Sequence, residues 1–387
     1  MTATERLLDL DGVGQRQSTV RFDVLYQAAL TVPIGTITPI EQTVPTVAVD
    51  TASTIARTLS SLRLTPADQA FLDPFAHRLR PVWILENGVE FPLGVFVCGS
   101  MDRIRYEYGL GASVSGVDQG VIVDQPMVTS VSVKKGESVT AKIVALLTGV
   151  VPNIDVDELN ATVESPIAWP AGTSRLEIVN ALAALGSAFP LYFTNTGVAR
   201  VRAVTAPAAE IPSLVYDVGG RIRVDSMVET DDLLTAPNRY LVIDSGNPDL
   251  VISAVYDIPD TAPNSFVNRG YYVTEVISVQ GLPPGSGYNS AAWLRARAEY
   301  EADGGGYQSV AFSSPPDPRH DVFDPVGYLG TTYREVGWSL PLAEGATMAH
   351  RLRLPIPAVD DGVSPQYLTW DDPIWGRWDS NRWAPGP

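Results

Sequence analysis

Between Gln17 and Asp124 apolar residues come in short runs separated by turn residues: STVRFDVL, LTVPIGTIT, TVPTVAV, RPVWIL, FPLGVFV, RIRYEYG and GASVSGV. Runs of this length and spacing predict an all-β unit, a small barrel or sandwich. One short helix interrupts it. Thr65 offers an N-cap, Pro66 fits the first helical position, and Asp68 complements the positive end of the helix. Two apolar strands, 80–85 and 90–97, flank Glu86-Asn87-Gly88. An Asn-Gly pair between apolar runs predicts a hairpin with a type I′ turn, in which both central residues take positive φ.

The periodicity changes near Pro126. KKGESVTAKIVALLTGV (134–150) reads as an amphipathic helix ending at Gly149. A second helix has clearer punctuation. Ser174 and Glu177 form a capping box, Leu176, Val179, Leu182, Leu185 and Phe189 follow helical spacing, and Gly186 with Pro190 closes it. LYFTNTGVARVRAV then predicts a hairpin with Asn195-Thr196-Gly197 at its tip. Residues 126–215 therefore read as an α+β unit. After the proline-containing segment 207–212, strand patterns return in IRVDSMV, RYLVIDSG, QSVAFSS and MAHRLRLPI. A helix capped by Asn289 or Ser290, SAAWLRARAEYEA, runs into Gly304-Gly305-Gly306. The expected organisation is a β unit at 1–125, the α+β unit at 126–215, a second β unit with a surface helix at 216–345, and a Pro/Trp-rich extension at 346–387.

Composition narrows the function classes. The 387 residues are 45% hydrophobic and 18% charged, a folded composition with room for several cores. No apolar run is long enough to span a bilayer, and MTATERLLDLDGVG lacks the basic segment and hydrophobic core of a signal peptide, so neither is expected. The net charge of −17 opposes stable nucleic-acid binding, although acidic walls suit a channel through which DNA passes without sticking. Cys98 has no partner cysteine and is expected to be a buried small apolar residue.

Candidate chemistry is sparse, and no enzymatic role, cofactor or metal site is expected. There are three histidines, His77, His320 and His350, and no P-loop, dinucleotide fingerprint or C-x-x-C. Gly111-Ala112-Ser113-Val114-Ser115-Gly116 has the wrong spacing for a nucleophile elbow. Asp317, His320, Asp321 and Asp324 include metal-ligand types, but the three prolines of the run suggest an extended connector whose carboxylates face water. Asp155, Asp157 and Glu158 read as a solvated acidic turn rather than as paired glycosidase carboxylates. Asp9-Leu10-Asp11-Gly12 begins like a calcium loop and lacks its later ligands. Trp370, Trp375, Trp378 and Trp383 crowd into fourteen residues that cannot build a core alone. They are the candidate partner-binding residues, and packing on the same polypeptide, a partner subunit or a sugar all remain open for them.

Several short motifs resemble those of the tail hub proteins of long-tailed bacteriophages, also called baseplate hub or minor tail proteins. They are Arg57-Thr58-Leu59, Leu64, Asp73-Pro74, Arg78-Leu79-Arg80 leading into a strand, Phe91-Pro92-Leu93-Gly94-Val95-Phe96, and Ala236-Pro237-Asn238-Arg239-Tyr240-Leu241-Val242. The resemblance covers residues 15 to about 340. It implies a mainly β multi-domain hub with an α+β middle domain and two β-barrel-like tube domains, the first of which takes in some strands after residue 210. It also implies a homotrimeric ring in the virion at the tail tip. That ring would continue the tail tube, join the distal tail protein to the tip or spike near the tape measure protein, and let genomic DNA pass. The alternative is a carbohydrate-binding or cell-wall-degrading tail tip protein that uses the Trp cluster.

Overall fold

The computed structural model describes residues 18–353, except 28, 41–43, 107–108, 164–165, 206–209, 217–226, 233, 245–251, 280–281, 283–287, 289, 304–307 and 344. Asp9–Gly12 and the four clustered tryptophans, Trp370, Trp375, Trp378 and Trp383, lie outside the described residues.

The first segment contains β1 (Ser18–Tyr26), β2 (Ala29–Ile37), β3 (Thr46–Asp50), β4 (Arg57–Leu64), α1 (Pro66–Phe71), β5 (His77–Leu85), β6 (Glu90–Pro92), β7 (Phe96–Tyr106), β8 (Gly109–Asp118) and α2 (Gly120–Val123). The middle holds β9 (Val131–Val133), α3 (Val139–Leu147), β10 (Ile154–Val156), β11 (Ile167–Trp169), α4 (Arg175–Leu185), β12 (Tyr192–Phe193) and β13 (Ala199–Val201). The last segment comprises β14 (Leu214–Tyr216), β15 (Val228–Asp231), β16 (Arg239–Asp244), β17 (Ile252–Asp257), α5 (Phe266–Arg269), β18 (Thr274–Val279), α6 (Ala291–Asp303), β19 (Gln308–Ser314), β20 (Pro325–Tyr328), β21 (Thr331–Pro341) and β22 (Met348–Arg353).

The protein is mainly β. Among the described residues its largest sheet has 14 strands, with the main path β15-β19-β22-β21-β3-β4-β8-β7-β5-β1-β2, and that path has two ends instead of closing on itself. The joint is β3 beside β21, where Val49 faces Trp338 and Val47 faces Leu340. Strands after residue 210 thus enter the same sheet as the first segment. Phe22, Val47, Leu59, Leu62 and Phe96 share one core with Trp338, Leu340 and Met348 from the far end of the chain. The middle segment buries its own core of Ile143, Leu147, Leu176, Val179, Leu182 and Val201. A three-stranded sheet, β17-β16-β18, packs Tyr240, Val242 and Tyr256 against Trp293 and Tyr300 of α6.

Local signals place most helix starts. The Thr65 hydroxyl accepts from the Asp68 amide and the Ser174 hydroxyl from Leu176 and Glu177, each cap contributing about 1 kcal/mol. Three expectations are corrected. Helix α3 begins at Val139, not Lys134, because residues 134–137 form a turn and Ser138 is the N-cap. At Asn87-Gly88 only Gly88 takes positive φ (81°), and its amide bonds the Leu85 carbonyl at 2.8 Å. This is a turn ending in a glycine bulge, not type I′. The strand expected at 90–97 is split at Gly94, whose φ is 123°.

Candidate functional site

The clearest concentration of polar chemistry is internal. β4 opens with Arg57, which is fully buried because the strand turns it toward the junction of three segments. Its guanidinium donates to the Leu93 carbonyl at 2.8 Å, to Asp321 Oδ1 at 2.6 Å and to Asn195 Oδ1, and it lies 5.5 Å from the Trp338 ring centroid. Asn195 is the tip of the β12–β13 hairpin. Its amide donates to Asp321 Oδ2 at 3.0 Å and its side chain to the His320 carbonyl at 2.7 Å. Gly94 completes the joint by donating to the Asn195 carbonyl at 2.9 Å. A Cβ on Gly94 would lie 2.7 Å from Arg57 Cδ, so the position needs glycine for space as well as for φ. The hairpin tip, a simple turn in the sequence, is a docking point.

The run expected to face water does the opposite in part. Asp317 is 5% exposed and pairs with Arg319 at 2.7 Å, while Asp321 pairs with Arg57. Asp324 accepts from the Asp321 amide at 2.8 Å, and burial together with the neighbouring Asp321 charge pushes its carboxyl up to about 7. The four residues of this run do not converge on one point. His320 turns instead toward residues that the sequence keeps far away.

His320, Glu335 and His350 are each 1% exposed. The bulge in β21 at Glu335 and the pairing of β22 with β19 bring them together. Glu335 Oε2 lies 2.5 Å from His320 Nδ1, and Oε1 lies 2.8 Å from His350 Nδ1. The outer nitrogens are held too: His320 Nε2 lies 2.6 Å from the Tyr216 hydroxyl, and His350 Nε2 lies 2.8 Å from Ser314 Oγ. His350 stacks on Phe312 with centroids 4.6 Å apart. Burial pushes the Glu335 carboxyl up to about 7 and the His350 imidazole down, each favouring the neutral form. With its three ionisable groups sealed in this way, the cluster offers a substrate no approach.

The remaining candidates take structural roles. Arg200 on β13 pairs with Asp155 of β10 and with Asp157 just beyond it, and Glu158 accepts from the Thr140 hydroxyl at 3.2 Å, so these acids form a surface network. Ser113 and Ser115 lie on β8, with Ser115 Oγ 2.8 Å from Ser100 Oγ on β7. Cys98 is only partly buried, not fully as expected, and burial still pushes its thiol up to about 11, away from reactivity. Asn238 of the Pro-Asn-Arg motif is 1% exposed and staples two loops. Its amide group donates to the Asn264 and Tyr271 carbonyls at 3.0 and 2.9 Å, and its oxygen accepts from the Val273 amide at 2.7 Å.

The outward feature is the edge of the long sheet. Among the described residues β2 pairs only with β1, and it exposes Val32 (67%) and Ile34 (49%). No helix among the described residues is long and apolar enough to cross a membrane.

No protein-family model and no curated protein matches the sequence. Solved structures do. A tail protein from Neisseria meningitidis superposes with a TM-score of 0.58 at 14% identity, over 86% of this chain and 96% of that one. The 43 kDa tail protein of prophage MuSo2 from Shewanella oneidensis gives 0.57 at 12% identity, over 88% and 99%. Prophage tail protein gp18 from Listeria monocytogenes gives 0.52 at 10% identity, over 86% and 94%. At these identities the likeness is one of fold: this chain has the fold of bacteriophage tail proteins, along nearly the whole length of each.

Proposed function

We propose that this chain is a structural component of a bacteriophage tail tip, a trimeric hub ring that continues the tail tube. In this reading residues 1–125 and 216–345 supply two barrel-like tube domains, closed only in the ring, and 126–215 supplies an outer domain. The ring joins the distal tail protein to the tip or spike, close to the tape measure protein. Its acidic charge lets DNA pass without adhering. One observation carries the reading: a long open sheet, in a tail-protein fold, with an apolar edge strand exposed at Val32 and Ile34. An edge of that kind is a template for another chain.

The test is assembly. Mass photometry and cryo-electron microscopy of the purified protein, alone and with its neighbouring tail proteins, should show threefold particles at three times the chain mass. The double variant Val32→Lys/Ile34→Lys should abolish them and leave the monomer's Tm unchanged, because both side chains already face water. A protein that stays monomeric with every tail partner defeats the proposal. Deleting residues 365–387 addresses the carbohydrate-binding reading, since loss of glycan binding with assembly intact would favour it.

A further inference from the structure

We propose that His320, Glu335 and His350 form a closed structural site for one divalent transition-metal ion, with zinc as the best match. This inference does not depend on the tail-tip reading. Two imidazoles and a carboxylate are a donor set suited to zinc, and their ligand atoms all lie within 4.8 Å of one another.

Proton accounting shows which position an ion would take. Ser314 Oγ lies 2.8 Å from the Pro315 carbonyl and 2.8 Å from His350 Nε2. A hydroxyl has one proton and a carbonyl can only accept, so both contacts are hydrogen bonds only when Ser314 donates to Pro315 and His350 donates from Nε2. The Nδ1 of His350 then faces Glu335 Oε1 at 2.8 Å. A proton shared with the Glu335 carboxyl satisfies that contact, and an ion bound by both groups would take the proton's place. His320 approaches the other oxygen of the same carboxylate, so two imidazole nitrogens and two carboxylate oxygens converge from opposite sides.

The surroundings are those of a metal site. Metal-binding histidines have the second ring nitrogen held by a hydrogen-bond partner that fixes tautomer and orientation. Here Tyr216 and Ser314 lie at those positions. Tetrahedral zinc–ligand distances of about 2.0–2.2 Å put neighbouring ligand atoms roughly 3.3–3.6 Å apart, so loading requires the Nδ1 to oxygen gaps to open by about half an ångström to an ångström. The ion would fasten the 317–324 connector to β21 and β22, and because the site is sealed it would load as the chain folds.

The experiment uses the full chain, expressed without a histidine tag, and measures metal content by inductively coupled plasma mass spectrometry. The protein is then unfolded with chelator and refolded with or without zinc. About one zinc per chain is expected, with a Tm rise of about 3–5 °C at a hundredfold excess over Kd. Refolding with cobalt should give visible ligand-field bands of a low-coordinate nitrogen–oxygen site, a readout that needs no variant. His350→Ala and Glu335→Gln should lose the metal and the zinc-dependent rise. Refolded wild type that holds no zinc, shows no cobalt bands and does not shift in Tm overturns the proposal. So does nuclear magnetic resonance detection, in the presence of zinc, of a proton bound at His350 Nδ1.

Discussion

Replacing Arg57 with methionine isolates the junction between the first segment, the middle hairpin and the connector. Methionine keeps much of the apolar stem and removes the donors. Four acceptors lose this donor: the Leu93 carbonyl, Asn195 Oδ1, Asp321 Oδ1 and, at 3.5 Å, the Phe193 carbonyl. Breaking a buried ion pair costs about 3–5 kcal/mol, but the Asp321 side chain is 24% exposed and keeps bonds from the Val322 and Asn195 amides, so the lower end applies. The expected loss is about 3 kcal/mol. Urea unfolding followed by tryptophan fluorescence reads it, since Trp338 lies beneath the guanidinium. A double-mutant cycle with Asp321→Asn should give a coupling of about 1.5–3 kcal/mol. Hydrogen exchange at the Gly94 amide, which bonds Asn195, should quicken in the same variant. A coupling under about 0.5 kcal/mol, with Gly94 exchange unchanged, would refute the clamp.

Asn238→Ala removes two donated bonds and one accepted bond from a buried position, and should cost about 3 kcal/mol, with faster exchange at the Val273 amide. Asp118 gives a pH signature: burial, partly offset by hydrogen bonds from the Gly120 and Arg57 amides, pushes its carboxyl from 3.8 up to about 6. A raised acid binds its proton more tightly in the folded state, so the penalty is full above about pH 6 and fades as pH falls toward about 4. It amounts to about 3 kcal/mol. Urea titrations of wild type and Asp118→Asn should therefore differ more in their pH slope between about pH 4 and 6 than above about pH 7.

What the sequence could reveal depends on the range over which each interaction acts. The caps at Thr65 and Ser174 and the Asn195-Thr196-Gly197 turn are local chemistry, and the structure contains them. The pairing of β3 with β21 joins residues nearly 290 positions apart, where hydrophobic alternation gives no register. The His320–Glu335–His350 cluster escapes a reading of the sequence for a related reason. Its members recur at 15-residue intervals on a connector and two strands, whereas a search for neighbouring ligands stops at Asp317, His320, Asp321 and Asp324. Arg57, Gly94 and Asn238 stand out in the sequence only through the resemblance to tail hubs. Their contacts supply the physical reason: each is a buried side chain or a strained glycine that holds distant segments together.

The two ends of the long sheet are built differently, and that constrains assembly. β15 is exposed along its length and carries Glu229 and Asp231, charges that deter another strand from pairing. β2 carries no charge, and its ALTVPIGTI sequence is interrupted only by Pro33. One edge is defended by charge, whereas the other is blunted only by Pro33 and the irregular β1–β2 register. If β2 paired with β2 of another copy, the contact would satisfy itself and stop at a dimer. A ring of three instead requires β2 to meet a different surface of the next copy, so that each chain offers one edge and one acceptor. The charge variants of Val32 and Ile34 therefore distinguish the two arrangements. In a ring, one variant chain mixed with wild type still joins through its acceptor and terminates growth, whereas in a β2–β2 dimer it joins nothing.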